Sequence, residues 1–123
     1  MLFVLPTPAL TKSKAPSPDA IERAKTAYAV GASLFKAGKF RDAIREFNKA
    51  YRENPNPVLM YNIARSFEEL GDYEVAIKSY REYLTMEPNE DDRAKVERSS
   101  ITLEQLLDQA KRDSKLHLES NPA

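Results

Sequence analysis

Cysteine and tryptophan are absent from this 123-residue chain, glycine occurs three times and histidine once. Without cysteine there is no disulfide framework, no thiolate nucleophile and no thiolate metal site. Three glycines leave no room for a glycine-rich loop that cradles phosphate. Neither G-x-S-x-G nor H-E-x-x-H occurs. The one histidine, His117, stands in a polar C-terminal stretch, and no set of ligand types recurs at metal-binding spacing. The carboxylate neighbours Glu68/Glu69 and Asp91/Asp92 are adjacent in helical segments. They therefore diverge by about 100° and suit a solvated face better than acid–base chemistry. Catalysis, a cofactor and a metal are not expected.

An excess of one charge is also lacking, since 19 Lys and Arg balance 19 Asp and Glu. Nucleic-acid binding rests on clustered positive charge, so this balance argues against it. No apolar run approaches the length of a membrane span. Met1–Leu5 (MLFVL) is apolar but short and lacks a basic flank. It reads either as a shortened signal peptide or as part of a plain disordered leader covering residues 1–16. The compartment is left open, leaning to the cytoplasm, with the periplasm or export following if MLFVL is a signal remnant.

What the chain does have is a period. Shifted by 33, residues 24–55 fall on 57–88, and GKFRDAIREF (38–47) lands on GDYEVAIKSY (71–80). Tyr28/Tyr61, Ser33/Ser66, Gly38/Gly71, Ala43/Ala76, Ile44/Ile77 and Pro55/Pro88 are identical across the shift. Each unit reads as two helices. Ser17 caps the first and Pro18 opens it. Ala20, Ala24, Ala27, Val30, Gly31 and Leu34 form its inner stripe, and Gly38 stops it. The second helix starts near Phe40 and carries Ala43, Ile44, Phe47, Ala50 and Tyr51 on one face. In the second unit Met60, Ile63, Ala64, Phe67 and Leu70 make one stripe, and Tyr73, Ala76, Ile77, Tyr80, Tyr83 and Leu84 the other. Gly31, Ala64, Ala43 and Ala76 let helices approach closely, while Phe47 and Tyr80 fill the space between units. Asn56 caps the third helix and Pro57 opens it.

After Pro88 the repeat is lost: the expected Gly falls on Glu104 and the expected Ala on Gln109. Asn89 caps a single long helix over about 90–115. Val96, Ser100, Leu103, Leu107 and Ala110 form its inner stripe, with Leu106 beside it.

The two units resemble the tetratricopeptide repeat, whose pattern places Gly, Ala, an aromatic and Pro at these spacings. Ala27, Val30, Gly31, Leu34, Ala43, Phe47 and Pro55 carry the resemblance in unit one; Met60, Ile63, Ala64, Phe67, Ala76, Tyr80 and Pro88 carry it in unit two. The departures are a missing Trp, Ala64 for Gly, and one residue fewer between units. The resemblance implies an all-α fold. It is a short right-handed α-solenoid of two helix-turn-helix repeats (24–56 and 57–89) closed by a capping helix (90–115). The domain then spans 17–115, followed by a disordered tail, 116–123.

The resemblance also implies a protein-interaction module that binds a peptide or helical segment in its concave groove. Groove positions carried over are Lys25, Tyr28, Ala32, Phe35 and Lys36 in unit one, and Val58, Tyr61, Asn62, Arg65 and Glu69 in unit two. The carboxylate clamp found in chaperone adaptors of the family is not expected, because Tyr28, Ala32 and Asp91 replace its Lys, Asn and Lys. The alternative is an assembly protein that self-associates, or joins a larger envelope complex, along Leu103, Leu106 and Leu116.

Overall fold

The computed structural model describes residues 15–119. The expected leader, apart from its last two residues, and the last four residues of the expected tail lie outside the described residues. Five α-helices follow in order: α1 (Pro18–Lys36), α2 (Phe40–Glu53), α3 (Pro57–Glu69), α4 (Tyr73–Thr85) and α5 (Glu90–Glu119). Each helix packs mainly on the helices next to it in the chain.

Local chemistry sets the boundaries. Ser17 Oγ accepts from the Ala20 N–H at 3.1 Å, and Asn56 Oδ1 accepts from the Val58 N–H at 2.9 Å. Each cap precedes a proline at the first helical position, where the missing N–H costs nothing. Gly38 and Gly71 end α1 and α3 with φ of 75° and 76°, the left-handed conformation that glycine enters freely. At α5, Asn89 Oδ1 accepts from the Asp92 N–H and Asn89 Nδ2 donates to Asp92 Oδ2, a reciprocal cap.

Two buried clusters hold the stack. Ala24, Ala27, Ala43, Phe47 and Ala50 pack with Leu59 and Ile63, which α3 turns back toward unit one. Met60 and Ala64, on the other flank of α3, pack with Ala76, Ile77, Tyr80, Tyr83, Val96 and Leu103. Thus α3 is apolar on two flanks and belongs to both cores. Its buried Ser66 and the buried Ser79 of α4 donate to the carbonyls of Asn62 and Val75, so neither hydroxyl is stranded. Ser100 Oγ is buried with no hydrogen-bond partner.

Three expectations need correction. Val30 was placed on the inner stripe but is 44% exposed, whereas its counterpart Ile63 is 4% exposed. Ile63 has α2 to pack on, while no helix precedes α1 among the described residues. Ala110 is exposed, because α5 outruns its partner: α4 begins at Tyr73, and Glu74 already pairs with Lys111 at 3.3 Å. The stretch 116–119, expected to belong to a disordered tail, is helical and continues α5.

Surface ion pairs tie the helices together. Arg23 donates to Glu53 at 2.9 Å, joining α1 to the end of α2. That hydrogen bond holds the Glu53 carboxyl below its usual range and raises the Arg23 guanidinium. Arg81 reaches Glu104 at 2.6 Å between α4 and α5. Such exposed, solvent-screened pairs contribute little to stability.

Candidate functional site

Helices α1, α3 and α5 share one side of the stack, with two adjoining cavities along it. The first, about 320 Å³, is lined by Ile21, Ala24, Lys25 and Tyr28 of α1, Asn54 and Asn56 of the α2–α3 joint, and Val58 and Leu59 of α3. The second, about 300 Å³, is lined by Tyr28, Val58, Tyr61, Asn62, Tyr83, Asp92 and Lys95. Tyr28 and Val58 line both, and so form a ridge between them. They are large apolar side chains left 40% and 50% exposed.

The ridge stands on the core. The Tyr28 ring lies 6.0 Å from the ring of buried Phe47, tilted by 45°. Tyr61 is half-buried, with its ring 6.0 Å from Tyr80 and 5.7 Å from Tyr83. Tyr61 is therefore wall rather than protrusion. Burial pushes the Tyr83 phenol up, with the nearby Asp92 carboxylate and then Tyr61 adding to it. Tyr80 is pushed up more strongly, first by burial and then by the hydrogen bond it donates to Glu68 Oε2 at 2.7 Å. Both phenols stay neutral near neutral pH.

The expected groove residues divide into two groups. Lys25, Tyr28, Val58, Tyr61 and Asn62 line the cavities. Phe35, Lys36, Arg65 and Glu69 lie further along α1 and α3 and line neither, and Ala32 is half-buried. Phe35 is already engaged: its ring meets Phe40 edge-on at 5.1 Å, and the Arg65 guanidinium sits 5.2 Å from its centre. That cation–π contact turns Arg65 and Phe35 toward each other rather than toward a partner.

Ile21, Asn54, Leu59, Tyr83, Asp92 and Lys95 were not expected in the groove. For Tyr83 a signal existed, since unit one has Ala50 at the matching position. Tyr83 reaches the second cavity because α5 brings Asp92 and Lys95 up to it.

This side of the stack thus carries exposed apolar side chains beside neutral amides and separate charges. The tetratricopeptide-repeat family model matches residues 28–91. The chain belongs to the tetratricopeptide repeat family. Tetratricopeptide repeats generally mediate protein–protein interaction, and such modules are typically non-enzymatic. The match begins within α1 and ends in the first turn of α5, so it covers the second repeat in full and all but the start of the first. A comparison with curated proteins finds no match. Among the described residues, no helix is long and apolar enough to cross a membrane.

Proposed function

We propose that this tetratricopeptide-repeat protein is an adaptor that binds a segment of a partner protein in the groove formed by α1, α3 and α5. One observation carries this reading: Tyr28 and Val58, 40% and 50% exposed, both line two adjoining cavities on that side. Tyr28 belongs to the aromatic class that dominates binding hot spots, and Val58 adds apolar area beside it. Asn54 and Asn62 add side-chain amides, which can pair with the backbone of an extended segment.

The test is affinity capture of partners by the full chain from its own cell extract, beside a Tyr28→Ala/Val58→Ser variant. The partner should be lost with the variant. A partner retained in full would rule the groove out.

A second reading is self-association through α5, favoured by Ile101, Leu106, Leu116 and Leu118, all exposed at 46% or more. Sedimentation at micromolar concentration separates the two. A dimer that dissociates on Leu106→Glu/Leu116→Glu supports the second reading, and a monomer refutes it.

A further inference from the structure

We propose that α5 opens and closes on α4 as a unit while the two repeats stay packed, so that the second cavity forms and dissolves within the folded chain. This rests on the groove reading above and adds a means of controlling that groove.

The first helix of a repeat sits on the second helix of the repeat before it, as α3 sits on α2. Where α5 meets α4, three matched positions depart from that pattern. A shift of 33 puts Ser100 on Phe67 and Leu34. Phe67 is a large ring packed against both buried clusters. Ser100 stands between Val96 and Leu103 on the buried stripe, fills far less space, and leaves its Oγ without a hydrogen-bond partner. A buried group of that kind lowers the gain from docking. Tyr83 falls on Ala50, a large residue where the earlier crossing has a small one. Glu87 falls on Asn54. Asn54 is extended at φ −151°, whereas Glu87 holds φ 54°, a left-handed conformation that is costly for a residue with a side chain. Opening lets Glu87 relax.

What holds α5 is short. Three of its thirty residues are buried, Val96, Ser100 and Leu103, and they span about two turns. The much shorter α3 and α4 each bury five of thirteen. The ion pairs from α5 to α4, Arg81 to Glu104 and Lys111 to Glu74, are exposed and screened by solvent. An element held by so little burial opens at a lower free energy than the chain as a whole.

The consequence falls on the groove. The second cavity needs Asp92 and Lys95 of α5 beside Tyr83 of α4. The first is lined by α1, α3 and the joint before α3, and uses nothing from α5. Opening therefore leaves the Tyr28–Val58 ridge with one cavity instead of two. A segment that fills both binds the closed form, and it holds α5 shut in proportion to its preference for that form.

A chain without cysteine makes the motion measurable. Ser100→Cys and Ser66→Cys, each made singly in the full chain, put a thiol at a buried position of α5 and of α3. In native buffer a thiol reagent should label Ser100→Cys about tenfold or more faster than Ser66→Cys, the mark of local opening beneath global unfolding. Low urea should accelerate labelling steeply at position 66 and weakly at position 100, because opening α5 exposes less surface than unfolding the chain. Hydrogen exchange needs no variant. Amides 96–103, which lie away from the fraying end of α5, should exchange faster than amides 43–50 of α2.

Labelling rates that are equal and rise together in urea overturn the inference, as do amides 96–103 exchanging as slowly as those of α2. Partner capture is a separate outcome. If α5 opens while capture is indifferent to Tyr28 and Val58, the groove reading falls and the opening stands. If α5 stays shut while capture is lost at the ridge, this inference alone falls.

Discussion

Phe47 lies directly over Gly31. A methyl group built on Gly31 would meet Cδ1 and Cε1 of the Phe47 ring at 2.7 Å. Phe47 is 2% exposed, so its ring is enclosed by the core. Gly31→Ala should therefore destabilise the fold by about 1–3 kcal/mol, the usual cost of overpacking. Phe47→Leu in the same chain should recover part of that loss. Urea unfolding of both singles and the double would show a coupling well outside additivity; strict additivity would mean the contact is not the cause.

Alkaline pH should unfold the protein early. The sign follows from protonation: Tyr80 is buried and donates to Glu68, so its folded pKa lies above its unfolded one. The stability it contributes is complete below about pH 10, the unfolded tyrosine value, and is lost as pH rises further. The slope is about 1.4 kcal/mol per pH unit for each proton retained only by the folded chain. Tyr83, shifted the same way, adds to it. Thermal midpoints should fall from about pH 10 upward, and Tyr80→Phe should flatten that fall.

Ser100 differs from its neighbours in kind. Ser66 and Ser79 satisfy their hydroxyls on their own helices, while Ser100 Oγ is buried without a partner. Ser100→Ala removes an unsatisfied group and adds a better helix former. It should raise stability by about 0.5–1 kcal/mol. Ser66→Ala should not, and chemical denaturation of the pair tells them apart.

The inner stripe of α5 ought to lose importance along its length. Leu103 is 2% exposed against α4, and Leu106 is 46% exposed. Leu103→Ala should cost about 2–5 kcal/mol, and Leu106→Ala less than about 0.5. Equal costs would mean that α5 is rotated from the orientation described.

Binding variants can be chosen to spare the fold. Val58→Ser alters a half-exposed side chain and should leave the melting temperature nearly unchanged, while Tyr28→Ala also removes one ring contact with Phe47 and should lower it slightly. Tyr61→Ala removes a half-buried ring that packs on Tyr80 and Tyr83, so it should lower the melting temperature by several degrees. Partner loss in the first two then reports on the groove, and loss in the third does not.

The repeat itself was legible because its residues act locally. Gly38, Gly71, Pro57 and the asparagine caps set boundaries through backbone chemistry that needs no distant partner. Gly31 was legible as a point of close approach, but Phe47 was read as filling the space between units, and its ring also lies against Gly31 within unit one. Val30 could not be placed that way. It matches Ile63 in sequence, and only the absence of a preceding helix among the described residues leaves it exposed. The cavity lining was legible near its middle, at Tyr28, Val58, Tyr61 and Asn62, where two true repeats face each other. It was not legible at Lys95 and Asp92, because α5 follows no repeat pattern and its rotation depends on how Tyr83 packs. Nor does spacing reveal that Arg65 spends its charge on the Phe35 ring.

Contacts that join chiefly successive helices have a consequence in time. Little of the chain must be looped out before native neighbours meet, so folding should be fast. The second cavity is different, because it draws on Tyr28 near the start and Lys95 near the end. It cannot exist until α5 has docked. A chain emerging from the ribosome would thus pack its first repeat early and complete this cavity last, once α5 is made.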